Sequence, residues 1–179
     1  MQDNISVLLA TIVFVILIVL FPIYNVATRN DSMNNNIVIK LTTEFVDDVR
    51  TTGKLTIDKY SKFVETISAT GNTYDIEMEL KVLDENPGKK TTQVATTKIG
   101  ENVYYSMYTS QILDTIAPVG GGKATLTLKE GDIFSANVKN TNTTLSQQLK
   151  NFFYAVAGND TYIITAGHAG IVTANGTGN

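Results

Sequence analysis

The polar and apolar positions divide this chain into one unbroken apolar run near the N-terminus and a longer remainder built of short periodic segments. From Ile5 to Tyr24 no side chain is charged, and Val, Ile, Leu and Phe fill most positions. At a rise of about 1.5 Å per residue, roughly 20 such residues in a helix match a hydrocarbon core about 30 Å thick. The run is apolar on every face, as expected of a helix surrounded by lipid or by other helices. A cleaved signal peptide would need a basic n-region and a small-x-small exit. Asp3 is the only charged residue before the run, and Pro22-Ile23-Tyr24-Asn25-Val26 is a poor exit, so the run reads as a retained anchor.

Beyond it, Asn25 to Asn36 is polar and rich in asparagine, a weak helix former that suits a break. Yet no Gly or Pro lies between Pro22 and Gly53, and Val38, Leu41, Phe45 and Val49 recur at spacings of three and four. Either the anchor is hinged at the asparagines, or it runs on to about residue 51 as one helix of about 45 residues, near 70 Å long. The missing breakers tip the balance slightly to the long helix. Gly53 is a natural stop. On this reading residues 1–36 are the hydrophobic anchor helix and polar junction, and residues 37–179 are a head domain.

The head begins with a helix capped by Thr56, with Tyr60, Phe63, Val64 and Ile67 as its apolar face and Gly71 at its end. The period then switches to two: Tyr74, Ile76, Met78, Leu80 and Val82 alternate with Asp75, Glu77, Glu79 and Lys81, a half-buried strand. Asp84 to Gly88 is a turn cluster, and Thr91 to Ile99 a polar, Thr-rich strand suited to an edge. Val103 to Tyr108 is strand-like, and Ser110 to Ile116 makes two helical turns before Pro118. Ala124 to Leu128 and Ile133 to Val138 flank Lys129-Glu130-Gly131-Asp132 and read as a hairpin. Thr143 or Thr144 caps a helix running to about residue 157. A last strand spans Thr161 to Thr165, and a frayed tail runs from Ala174. The expected fold class is therefore α+β: an N-terminal hydrophobic helix and an antiparallel β-rich head with short helices.

Net charge is −3 across 179 residues, which supplies no basic field for nucleic acid. There is no cysteine, hence no disulfide, thiolate metal site or Cys nucleophile. A cysteine-free, acidic, Thr- and Asn-rich head suits the outside of a bacterium. The charge bias opposes this, because Arg29 and Lys40 follow the span and none precedes it, which favours a cytoplasmic head. The extracellular placement is adopted on composition. Asn30, Asn142, Asn159 and Asn175 lie in Asn-x-Ser/Thr triplets, as chance provides at this composition.

Candidate chemistry is sparse. His168, the single histidine, sits between glycines and reads as a surface or turn residue. With no second His and no Cys, a soft-metal site is not expected. Gly120-Gly121-Gly122-Lys123 lacks the spacing of a phosphate loop, and Ala124 stands where a magnesium-binding hydroxyl would be. Asp75, Glu77 and Glu79 share one strand face and read as its solvent side. No nucleophile–base pair can be nominated, so catalysis is not expected and no cofactor or metal is assigned. The residues singled out belong to the anchor instead. Ser6 and Ala10 are small enough to let helices approach closely, with Leu9, Val13 and Leu17 packing around them. Asp3 either marks the polar boundary of the span or pairs with the terminal amine of a neighbouring copy.

The apolar span is followed by Phe45-Val46-Asp47-Asp48-Val49-Arg50-Thr51-Thr52-Gly53, Lys54-Leu55-Thr56-Ile57-Asp58-Lys59-Tyr60 and Gly71-Asn72-Thr73-Tyr74-Asp75-Ile76. With these blocks the chain resembles small membrane proteins encoded in Tad-like pilus gene clusters of Gram-positive anaerobes. Glu130 to Asn142 resembles a second block of the same family. The blocks are spread along the head and are structural rather than catalytic. The resemblance implies a pilin-like or minor-pilin component of a type IV-like filament, a single-pass membrane protein before assembly and a cell-surface fibre afterwards. Its implied partners are copies of itself through the N-terminal helix, the pilus assembly machinery and membrane lipid. The basic leader and cleavage glycine of classical prepilins are not seen, and their Glu near the mature N-terminus has its closest counterpart here in Asp3. The rival expectation is a monomeric anchored module that binds a surface ligand with its head.

Overall fold

The computed structural model describes residues 2–84, 104–120, 122–154 and 164–176. Helix α1 (Gln2–Thr52) is continuous for 51 residues, about 76 Å. The asparagine-rich segment is therefore no break. Its polar side chains bond back to their own helix: Asn25 Nδ2 donates to Phe21 O at 2.9 Å, Thr28 Oγ1 to Tyr24 O at 2.9 Å, and Ser32 Oγ to Thr28 O at 3.0 Å. Pro22 lies inside the helix, removing one backbone donor without ending it. Gly53 stops the helix at a φ of 61°, the left-handed conformation a side chain resists.

After α1 come β1 (Lys54–Thr56), α2 (Ile57–Ser68), β2 (Tyr74–Leu83), β3 (Tyr104–Tyr108), α3 (Thr109–Ile116), β4 (Thr125–Thr127), β5 (Ile133–Asn140), α4 (Leu145–Tyr154) and β6 (Thr165–Ile171). The fold class is α+β. Four strands form one antiparallel sheet in the order β3-β2-β5-β6, and β1 pairs with β4 in a separate antiparallel ribbon. Thr56 caps α2 as expected, its hydroxyl accepting from Lys59 N at 3.3 Å.

The alternation in β2 puts Ile76, Met78 and Leu80 opposite Val138, Ala136 and Phe134 of β5 on one buried face. Helix α1 packs on the sheet, and Phe63 and Ile67 of α2 join the same buried cluster. Phe45 of α1 stacks on Phe63 of α2 with ring centroids 4.4 Å apart and meets Phe134 edge-on at 5.9 Å. The opposite face is polar: Glu77 pairs with Lys139 at 3.5 Å, and Glu79 accepts from Ser106 Oγ at 2.8 Å.

Three expectations need correction. The segment 124–138 is not a hairpin. Strand β4 leaves for β1, while β5 pairs with β2 and β6. The intervening turn still forms, because Asp132 accepts from Lys129 N at 2.8 Å and from Leu83 N at 2.9 Å, tying the turn to the end of β2 rather than closing β4 on β5. The last strand runs over Thr165–Ile171 rather than ending at Thr165, and 161–163 of the expected span lie outside the described residues. Its Ala-Gly-His-Ala-Gly core has weak strand propensity, and tertiary packing overrides it. A Cβ at Gly170 would collide with the Arg50 guanidinium of α1, so small residues here let the helix lie close to the sheet. Finally, residues 174–176 are not frayed: Gly176 N donates to Leu128 O at 2.9 Å and Asn175 Oδ1 accepts from Glu130 N at 3.0 Å. The expected strand 91–99, the turn at Pro87-Gly88 and the end of the 144–157 helix beyond 154 lie outside the described residues.

Candidate functional site: a bare stem and the collar that grips it

From Asn4 to Val26 every side chain of α1 is exposed or half-exposed, Val7 at 65% and Phe14 at 63%. The most apolar 18-residue window has a mean hydropathy of 3.0 and none of it is buried. Among the described residues there is thus one helix long and apolar enough to cross a membrane. Ser6, Ala10, Val13 and Leu17 fall at i, i+4, i+7 and i+11, so they share one face of this stem, with Leu9 beside them. All five are exposed. Asp3 lies in the first turn of α1.

At Ala27, inside the segment the sequence assigns to the junction, the helix begins to bury a stripe. Ala27, Asp31, Asn34, Val38, Thr42, Phe45, Val46 and Val49 are all buried. The first polar members of this stripe are held by the head. Asp31 Oδ2 accepts from Thr144 Oγ1 at 2.7 Å and from Ser146 Oγ. Thr144 is also the cap of α4: its backbone N donates to Gln147 Oε1 at 2.7 Å, and its hydroxyl accepts from Gln147 N at 3.4 Å. The Asp31 carboxylate therefore sits at the N-terminus of α4, where a negative charge is favoured.

More asparagines extend this collar. Asn34 Nδ2 reaches Thr70 O at 3.5 Å, and Asn35 Oδ1 accepts from Thr165 N at 3.0 Å. Asn142 bridges by accepting from Thr73 N at 3.0 Å and donating to Asn72 Oδ1 at 2.9 Å, and Asn140 Oδ1 accepts from Ile164 N at 3.1 Å. Among the described residues no buried side-chain nitrogen or oxygen is left without a partner. A groove of about 570 Å³ runs between stem and collar, with Pro22, Ile23 and Val26 on one side and Asn72, Asn142 and Leu145 on the other.

The sequence reading did not identify the collar. Its one signal was positional: Asp31 and Asn34 continue, at helical spacing, the stripe that Val38, Phe45 and Val49 announce. Being polar, they fall outside any search for apolar periodicity.

At the far end of α1 the head closes a clasp. Leu128 N donates to Gly53 O at 2.8 Å, and Thr173 N to Arg50 O at 3.1 Å. A Cβ on Gly53 would lie 2.5 Å from both Ala174 O and Gly176 N. The single histidine is neither in a turn nor on the open face. His168 lies in β6 on the side facing α1, with Nε2 3.3 Å from Asp47 Oδ1. Asp47 also accepts from Arg50 at 2.7 Å, and that bond holds its carboxyl below the usual value. Lys123, next to the glycine loop, pairs with Asp58 at 2.7 Å in the open. Among the described residues no group of His, Cys, Asp and Glu is spaced to hold a metal ion.

The geometry defines an α+β head clamped along the second half of one long helix whose first half is bare and apolar. No protein-family model, curated protein or solved structure matches the chain.

Proposed function

We propose that this chain is a pilin-like structural subunit of a type IV-like extracellular filament. Its bare stem is held in the membrane before assembly and packs against copies of itself afterwards, with the heads outward. The observation that carries the reading is the single helix shared by stem and head. A subunit drawn from lipid into a fibre must transmit its axial position from core to surface. A helix continuous from Gln2 to Thr52, gripped by the head from Ala27 onward, does so without a hinge. The stem keeps its backbone bonds internal in either environment. On this reading the head has a structural rather than a catalytic role, and Asp3 sets the axial register by meeting a neighbour's terminal amine.

Electron microscopy of sheared material from cells making the Leu9→Arg chain tests it. Fibres should vanish while the head stays folded, because each subunit would carry a charge into the apolar core. Normal fibres from this variant would overturn the reading. Asp3→Asn should weaken assembly without abolishing it. The rival, a monomeric anchored surface module, draws on the groove between stem and collar, and it takes over if wild-type cells yield this chain only in membranes.

A further inference from the structure

Helix α4 runs back along α1, from the Asp31–Ser146 contact at its start to a ring contact near its end, where Phe153 meets Tyr24 edge-on with centroids 6.4 Å apart. Phe152 packs edge-on against Phe153 at 5.8 Å and is 68% exposed. Tyr24 is the residue at which the apolar run ends. The tip of α4 therefore reaches the level where the stem, as a span of about 30 Å, would leave hydrocarbon. Lys150 stands exposed roughly one turn before the tip and faces the same space as Tyr24 and Thr28. A large exposed apolar ring gains by leaving water for the headgroup/acyl boundary, where interfacial helices bury Phe on their apolar face. A lysine a turn above can reach the phosphates from there.

We infer that the Phe152–Phe153 tip of α4 is a lipid-contacting foot, seating the head on the bilayer surface while the stem is in the membrane. The partner is the headgroup and upper acyl region of a phospholipid leaflet, named by its continuity with the span through Tyr24. This rests on reading the stem as a membrane span. A foot beside the span would fix the head's height and tilt, so that α4 and the stem enter assembly together.

The chain has no tryptophan, so a single introduced one reports its own depth. The full chain carrying Phe152→Trp, Leu9→Trp or Val119→Trp is reconstituted in vesicles of phosphatidylcholine with a minority of phosphatidylglycerol, in which lipids brominated at different depths serve as quenchers. Val119 is fully exposed and provides the water reference. Phe152→Trp should emit to the blue of Val119→Trp and be quenched several-fold more, most strongly by bromine near the headgroup. Leu9→Trp lies within the span, about 8 Å from its middle, and should be quenched most strongly by bromine along the acyl chains. If Leu9→Trp is quenched and Phe152→Trp behaves like Val119→Trp, the span stands and the foot is overturned. If Leu9→Trp also behaves like Val119→Trp, the span itself has failed and the foot with it. A Phe152→Trp probe that is wet in vesicles and becomes apolar only in fibres would make its partner a second copy of this chain, overturning the lipid assignment.

Discussion

From Asn4 to Val26, α1 shows its side chains to the surroundings, whereas from Ala27 to Thr52 it buries a stripe against the head. The two halves share a backbone geometry and differ in where the apolar positions fall. The second half has a stripe because the chain supplies a partner for one side only. The first half has no stripe, and among the described residues nothing buries it; a helix apolar on every face suits surroundings that are apolar on all sides. The polar residues mark the changeover. Asp31 and Asn34 lie in the buried stripe yet find fixed partners in the head, while the stem from Ile5 to Phe21 holds only Ser6 and Thr11 as polar groups. Thr11 turns its hydroxyl back onto Val7 O at 2.8 Å.

One substitution placed in each half separates these demands most sharply. Val46 is completely buried, and Val46→Arg would strand a charge in the core at about 3–5 kcal/mol. That is a large share of a head's stability, so soluble or membrane-bound chain should lose its cooperative thermal transition. Leu9→Arg should leave that transition unmoved while opposing membrane insertion by at most about 2.5–3.5 kcal/mol, the cost at a helix centre. Circular dichroism melts paired with membrane fractionation read both. A melt lowered equally by the two changes would mean that the halves are not independent.

Next in size is the clasp. Gly53→Ala demands a left-handed φ from a residue with a side chain and drives its Cβ into the backbone of the 174–176 segment. The expected loss is about 1–3 kcal/mol, measured by denaturant unfolding of the head. Because the clasp is far from the stem, membrane insertion should not change.

At the collar, Asp31→Ala removes the acceptor shared by Thr144 and Ser146 and should cost about 1–3 kcal/mol. Its signature is local: amide exchange in α4 should accelerate while β5, at the sheet's centre, stays protected. Asp31→Asn keeps one acceptor oxygen and should be milder. Uniform acceleration across the head would show that the carboxylate supports the whole fold rather than the seating of α4.

How much of this was legible depended on whether a segment's partner was apolar. The anchor, the Val38–Val49 stripe, the Thr56 cap and the alternation of β2 follow from periodicity and capping, which act within a few residues. The pairing of β4 with β1 did not, because strand partners are chosen across the fold and the turn at Lys129–Asp132 looks the same whether or not it closes a hairpin. β6 was misplaced because its glycines and alanines serve the approach of α1, a demand made from 121 positions away at the Arg50–Ile171 contact. The collar was missed for the same reason: asparagines that read as breakers in isolation become ligands for the backbone of the head.

The smallest expected effect lies where α1 meets β6. Asp47 faces Arg50 and His168, while its neighbour Asp48 turns away to Lys59 at 2.7 Å. The Arg50 hydrogen bond, chiefly, lowers the Asp47 carboxyl below its ordinary value of 3.8, with burial opposing and His168 assisting. The folded chain thus holds this proton less tightly than the unfolded chain. The resulting stabilisation is complete above the unfolded value and is lost as pH falls through the lower folded one. Asp47→Asn removes the titration, so wild type and variant should differ by a constant amount at neutral pH and converge below about pH 4. His168→Ala, which leaves the Arg50 bond in place, should shift this convergence only slightly and leave folding and fibres intact. Denaturant midpoints taken along a pH series for the three chains check the sign. Curves that diverge rather than converge in acid would mean that Asp47 is held above its ordinary value and that Arg50 does not command it.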